Sequence, residues 1–168
     1  MEFMVLSILT SDKASVDVKG ESTLDGFKDH IEIMSFTHGV SNPVQAGTSN
    51  TGRTTGRPNL GELAITKQLD ATSPALNFYC CQAKDIGTVV LKLVRQDEAT
   101  KQNLKYMEYK LEKTIVSSVS VGGSGDIPFE QVTFNYAKLT WTYNPQAKEV
   151  GSKGNIPKWW DQETNTGG

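Results

Sequence analysis

Two histidines, two cysteines and scattered carboxylates are the groups in this chain with the reach for bond-making chemistry. Their spacing argues against it. On a continuous strand His30 and His38 would share a face yet lie far apart, which is not the separation of two zinc ligands. With only those two histidines no Ser-His-Asp order is persuasive, and no G-x-S-x-G elbow occurs. Cys80 and Cys81 are neighbours, and a bond between them would need a ring that disulfide geometry disfavours. They read as two buried, reduced thiols. Glu108 and Glu112 alternate with Lys110, the pattern of a solvated, charge-balanced sheet face. A glycosidase pair would need one carboxyl desolvated to raise its pKa. The run Gly122-Gly123-Ser124-Gly125 lacks the lysine and following helix of a phosphate loop and reads as a hairpin connection. No catalytic residue, metal or cofactor is expected.

The three tryptophans are the remaining candidates. Trp141 lies beside Leu139 and Tyr143 in an apolar run and reads as core. Trp159 and Trp160 follow Pro157 in a loop-like tail, residues 151–168. They suit either a sugar-stacking platform or an aromatic anchor at a subunit contact, and the anchor is the preferred reading.

The elements that must position these groups are mostly strands. Ile86 to Arg95 is rich in β-branched residues, with Val89, Leu91 and Leu93 on one side. A polar turn leads to a long segment, Leu104 to Val121, that keeps Met107, Tyr109, Leu111, Ile115, Val119 and Val121 on one face. The two segments predict an antiparallel hairpin with one dry side. Phe129 to Tyr143 is a further strand whose apolar set changes phase, so a β-bulge near Tyr136 and Ala137 is expected. Shorter strands are expected over Met4–Leu9, His30–His38 and Leu60–Leu69. One helix starts at Ser73-Pro74, with the serine as cap and proline in the first turn, and stops before Gly87. Leu76, Tyr79, Cys80 and Ala83 would face the core.

Residues 41–59 stand apart, because they hold Gly47, Gly52, Gly56, Pro43 and Pro58 among Ser, Thr and Asn and offer almost nothing to a core. So long a loop inside a compact domain tends to be functional. Arg53 and Arg57 lie in it without an acidic neighbour. It reads either as a mobile surface flap or, more sharply, as an arm that orders against another subunit. Val44, Arg53, Arg57, Trp159 and Trp160 are the candidate inter-subunit contacts.

Composition narrows the partners. A formal net charge of −2 over 168 residues leaves no surplus of Lys and Arg for a phosphate backbone, so nucleic acid is excluded. The apolar run Val5–Leu9 is too short for a signal peptide and follows Glu2, so neither Sec export nor a membrane span is expected. A hydrophobic share of 37% with 15 glycines suits a single all-β domain, residues 1–168, rich in turns.

The order of features resembles the Hcp family, the tube proteins of the bacterial type VI secretion system. The matching stretches are Lys19-Gly20-Glu21-Ser22, Ile31-Glu32-Ile33 with Ser35-Phe36, and Leu69-Asp70 followed by Ser73-Pro74. Further along come Tyr109-Lys110-Leu111, Val116-Ser117-Ser118-Val119, and Thr140-Trp141-Thr142-Tyr143-Asn144-Pro145-Gln146. The chain departs from the family pattern at His30, where an aromatic is usual, and at Lys158-Trp159-Trp160-Asp161, where the family has glycine followed by Trp-Ser-Leu. The resemblance implies a compact β-barrel of two antiparallel sheets with one flanking helix, and subunits in six-membered rings that stack into a hollow tube. It further implies assembly in the cytoplasm inside a contractile sheath, expulsion with a spike protein, and effector proteins carried in the lumen. The competing reading is a secreted β-sandwich that binds carbohydrate through Trp159 and Trp160.

Overall fold

The computed structural model describes residues 2–9, 18–44, 56–97, 101–145 and 154–168. The short strands come first: β1 Glu2–Leu9, β2 Ile31–Glu32, β3 Ser35–Thr37, β4 Val40–Ser41, β5 Asn59–Leu60 and β6 Leu63–Gln68. Helix α1, Ser73–Gln82, follows. Then come β7 Thr88–Gln96, β8 Asn103–Glu112, β9 Ile115–Gly122, β10 Phe129–Asn135, β11 Lys138–Tyr143, β12 Ile156–Asp161 and β13 Thr166–Gly167. They form a seven-stranded sheet in the order β13-β12-β11-β8-β7-β1-β2, a four-stranded sheet in the order β3-β6-β10-β9, and a two-stranded ribbon, β4-β5. Every pairing between these strands is antiparallel.

The main core lies between the two larger sheets. Leu6, Leu91, Leu111 and Leu139 of one meet Ile65, Val116, Val132 and Phe134 of the other, and Leu76 and Tyr79 of α1 close the side. Each such side chain, fully buried, contributes about 1.5–3 kcal/mol relative to exposure. A second, smaller cluster sits on another part of the molecule, where Val5 and Val94 are covered by Phe27 and Leu24. The mainly β fold of two antiparallel sheets with one helix is the expected one, although hydrogen bonding does not run unbroken around it.

Four expected strands divide, each for the same reason, Leu60–Leu69 among them, since Leu60 ends β5 of the ribbon and β6 starts at Leu63 in the four-stranded sheet. Chain that alternates in one phase and then the other is passing from sheet to sheet. The segment from Leu104 to Val121 breaks at Lys113, which takes a left-handed φ of 53°. β8 belongs to the seven-stranded sheet and β9 to the four-stranded one, so Val116 is buried after Leu111, whereas Val121 is 54% exposed. Phe129 to Tyr143 likewise divides into β10 and β11, and the phase change at Tyr136 and Ala137 is a crossing between sheets, not a bulge. The ladder irregularity falls instead at Thr133 and Phe134. His30 to His38 is also not continuous, since β2 and β3 lie in different sheets.

At α1 the position is as expected but the cap is not. Thr72 precedes the helix and makes no side-chain cap bond. Ser73 turns inward, where its Oγ donates to Glu130 Oε1 (2.9 Å) and accepts from the Asp70 amide (3.1 Å). Lys67 and Glu130 are both fully buried and paired at 2.6 Å, and Lys67 Nζ also reaches Asp70 Oδ1 at 2.7 Å. The helix ends with Ala83 in the left-handed region at φ 48°, which leaves Ala83 exposed and not in the core. Cys80 is half-buried and Cys81 exposed, so the expectation of two buried thiols holds for neither in full.

Candidate functional site

The arm rises from a two-stranded stalk. Val40 pairs with Leu60 and Ser41 with Asn59, the Gly61 amide donates to the Gly39 carbonyl at 2.8 Å, and the Gly56 amide to the Pro43 carbonyl at 3.1 Å. Val44 and Arg57 therefore stand close to the neck of the stalk, and both are exposed. Arg53 lies outside the described residues. Arg57 borders a cleft of about 440 Å³ that Lys113, Asn135, Tyr136, Gln162 and Glu163 also line. Lys113 in that cleft pairs with Glu163 at 2.5 Å.

A partly buried clamp holds the stalk to the body. Tyr136 Oη donates to the Gly61 carbonyl at 2.7 Å, and His38 Nε2 lies 2.7 Å from the same hydroxyl. A phenol has one proton to give, so the hydroxyl accepts from His38 Nε2–H, which sets the histidine tautomer. The His38 ring is packed edge-on to Tyr109 and Trp141 at centroid distances of 6.0 and 6.3 Å. Desolvation holds the His38 pKa below its ordinary value. Burial, with Glu62 as a lesser cause, pushes the Tyr136 phenol well above the usual range. His30 is in another environment, with Nε2 3.0 Å from Lys92 Nζ. The sequence signals for the clamp are weak, because Tyr136 is 98 residues from His38.

The tail is a strand and not a loop. β12 pairs with β11 along its whole length, and β13 pairs with Trp160 and Asp161. The adjacent tryptophans face opposite ways. Trp160 packs against the main core, while Lys138 Nζ sits 4.7 Å from the centroid of the Trp159 ring. Gly167 is required opposite Trp160, since an added Cβ would lie 2.5 Å from Trp160 Cε3 and 2.6 Å from the Trp159 carbonyl oxygen. Two rings on opposite faces do not make one sugar-stacking platform. Trp141 is partly buried against the core, as expected.

The carboxylates behave as a surface. Glu108 pairs with Lys105, and Glu112 lies 3.7 Å from both Lys110 and Lys138. Among the described residues no group of three or more His, Cys, Asp or Glu is placed to hold a metal ion, and no helix is long and apolar enough to cross a membrane.

The described residues form a two-sheet body that carries a clamped two-stranded stalk. Comparison with known proteins gives the particular kind. The family described as "Type VI secretion system effector, Hcp" matches residues 9–143. The chain is 31% identical over 152 residues to "Protein hcp1" of Pseudomonas aeruginosa, covering 89% of this chain and 92% of that one. It is 25% identical over 144 residues to the "Major exported protein" of the same organism, covering 81% of each. A solved chain described as "Structure of a type six secretion system protein" superposes with a TM-score of 0.84 at 28% identity over the whole of both chains. The chain belongs to the Hcp family, the tube proteins of the type VI secretion system. These are secreted proteins that assemble into rings and tubes.

Proposed function

We propose that this chain closes into six-membered rings that assemble in the cytoplasm and stack into the inner tube, and that its role is structural and not catalytic. On this reading the tube lies within a contractile sheath, leaves the cell behind a spike protein, and carries effector proteins in its lumen. The observation that carries the proposal is the stalk: a two-stranded ribbon, anchored through Gly61 to Tyr136 and His38, that holds Val44 and Arg57 exposed at its neck. Apart from Leu60, which is buried in the main core, the ribbon keeps its side chains outside the core and has contacts to offer a neighbour.

Val44, Arg53 and Arg57 are assigned to contacts between rings, and Trp159 and Trp160 to contacts at the tail, Trp160 by bracing the strand that presents Trp159. Ring closure is a heterologous contact that closes by rotation. The test replaces residues 45–55 with a short Gly-Ser linker, so that the neck survives. Negative-stain images should then show rings without tubes; tubes as long as those of the parent protein would refute the stacking role.

A further inference from the structure

A lysine on a sheet face pairs most readily with a carboxylate directly opposite it, and Lys92 does not. The register sets Glu108 of β8 across from Lys92 of β7, but Glu108 is engaged by Lys105. Lys92 Nζ lies instead 3.0 Å from His30 Nε2 and 5.8 Å from the centroid of the Phe27 ring. That ring in turn meets the His30 ring edge-on at 5.6 Å. Val90 and Val94, the neighbours of Lys92 on the same face of β7, are both buried, and Lys92 itself is partly covered.

Hydrogen bonding fixes the state of the imidazole. His30 Nδ1 is 2.9 Å from the Lys28 carbonyl oxygen, which can only accept, so Nδ1 carries the proton. Nε2 is left with a lone pair, and the group it faces is an amine. A base in contact with an amine is placed to take the proton that the amine gives up when it attacks an electrophile. Around the pair, β8 contributes Lys105, Glu108 and, opposite Val90, Lys110 to the same face, and Glu32 of β2 stands beyond Val5. Burial lowers the Lys92 pKa below its ordinary value, opposed by Glu108 and aided by Lys105. The free amine is therefore present at lower pH than in a solvated lysine.

We infer that Lys92 is an acylation site, its amine taking the acyl group of a small acyl phosphate while His30 Nε2 accepts the proton. The neutral amine attacks the acyl carbon and forms the C–N bond. His30 takes the N–H proton, the C–O bond to phosphate breaks, and phosphate leaves with the electron pair. The imidazolium then returns its proton to water. The products are an amide on Lys92 and inorganic phosphate, with no change of oxidation state. Only the amine's own proton has to move, which suits a donor whose leaving group departs unprotonated, as phosphate does. The cover of Phe27 and His30 favours a small donor. Position 30 is one at which the chain departs from the Hcp pattern, so the base belongs to this chain and the inference stands independently of the tube reading.

The test treats the full chain with acetyl phosphate and follows each lysine by peptide mass spectrometry. Lys92 should be acetylated several-fold faster than the exposed Lys84 and Lys158, and its rate should rise at a lower pH than theirs. His30→Gln keeps an acceptor beside the amine but takes up no proton, and His30→Phe removes both. Each should slow Lys92 by about tenfold or more, short of the full effect of a well-placed base, and leave Lys84 unchanged. Glu108→Gln removes the charge that favours the ammonium and should speed Lys92. A parent Lys92 that reacts no faster than Lys84, or both His30 variants reacting at the parent rate, overturns the inference. The comparison between lysines and its pH dependence are read on the parent protein, so a variant that fails to fold does not shield the inference.

Discussion

Lys67 and Glu130 are the residues whose burial is most expensive, since each ion leaves water completely; Lys67 is held by Glu130, Ser73 and Asp70, and Glu130 by Lys67 and Ser73. Glu130 Oε2 has no hydrogen-bond partner among the described residues. Removing one ion strands its partner in the interior, which costs about 3–5 kcal/mol, whereas replacing both with apolar groups of similar volume is often neutral or better. Glu130→Leu alone should therefore lower stability by about that amount in urea titrations, and Lys67→Met with Glu130→Leu should recover most of it. Additive losses in the double variant would show that the network is worth more than its desolvation. None of this was legible beforehand. Ser73 was recognisable as a polar residue at a helix start, but its partner is 57 positions away, on β10.

At the scale of elements, the clamp ties the stalk to the turn between β10 and β11. Burial without a nearby anion lowers the His38 pKa, so the folded protein takes up this proton less readily than the unfolded chain. Stability from this site is thus complete above the ordinary histidine range, near pH 6.5, and falls as the pH drops below it. The melting temperature of the parent should fall more steeply than that of His38→Gln between about pH 6.5 and 5; parallel curves would show that the site is not coupled to folding. Strands were readable from alternation wherever the chain stays in one sheet, as in β7. Where it crosses, alternation reports only that the buried side has changed, and Tyr136 and Ala137 were for that reason assigned a bulge. β12 was missed because of Pro157. That residue pairs with Thr142 on the part of β12 that β13 does not reach, where a missing amide costs no ladder bond.

For the whole molecule, the fold could be anticipated further than its contacts. Order and spacing of short motifs indicated two sheets and a helix, but exposure of Tyr143 and Ile156 is a property of two layers of unequal extent, which no stretch of sequence states. If Arg57, exposed at the neck, meets a carboxylate across the ring interface, stacking depends on screened charge. Raising salt from about 0.05 M to 0.5 M, which shortens the screening length from over 10 Å to under 5 Å, should shorten tubes seen by electron microscopy. Tube lengths that do not respond would remove Arg57 from the contact. Arg57→Glu should have the same effect at low salt.

The pairing of β1 with β7 also bears on how the protein is made. Leu9 leaves the ribosome 79 residues before its partner Thr88, and at about 5–20 residues per second that is a wait of roughly 4–16 s. During most of it an apolar strand has only the two residues of β2 to pair with and lacks β7, its partner along its whole length, the state in which unpaired edges recruit other chains. The long-range ladder that organises the finished sheet therefore makes the nascent chain a client for whatever holds unpaired strands apart during synthesis.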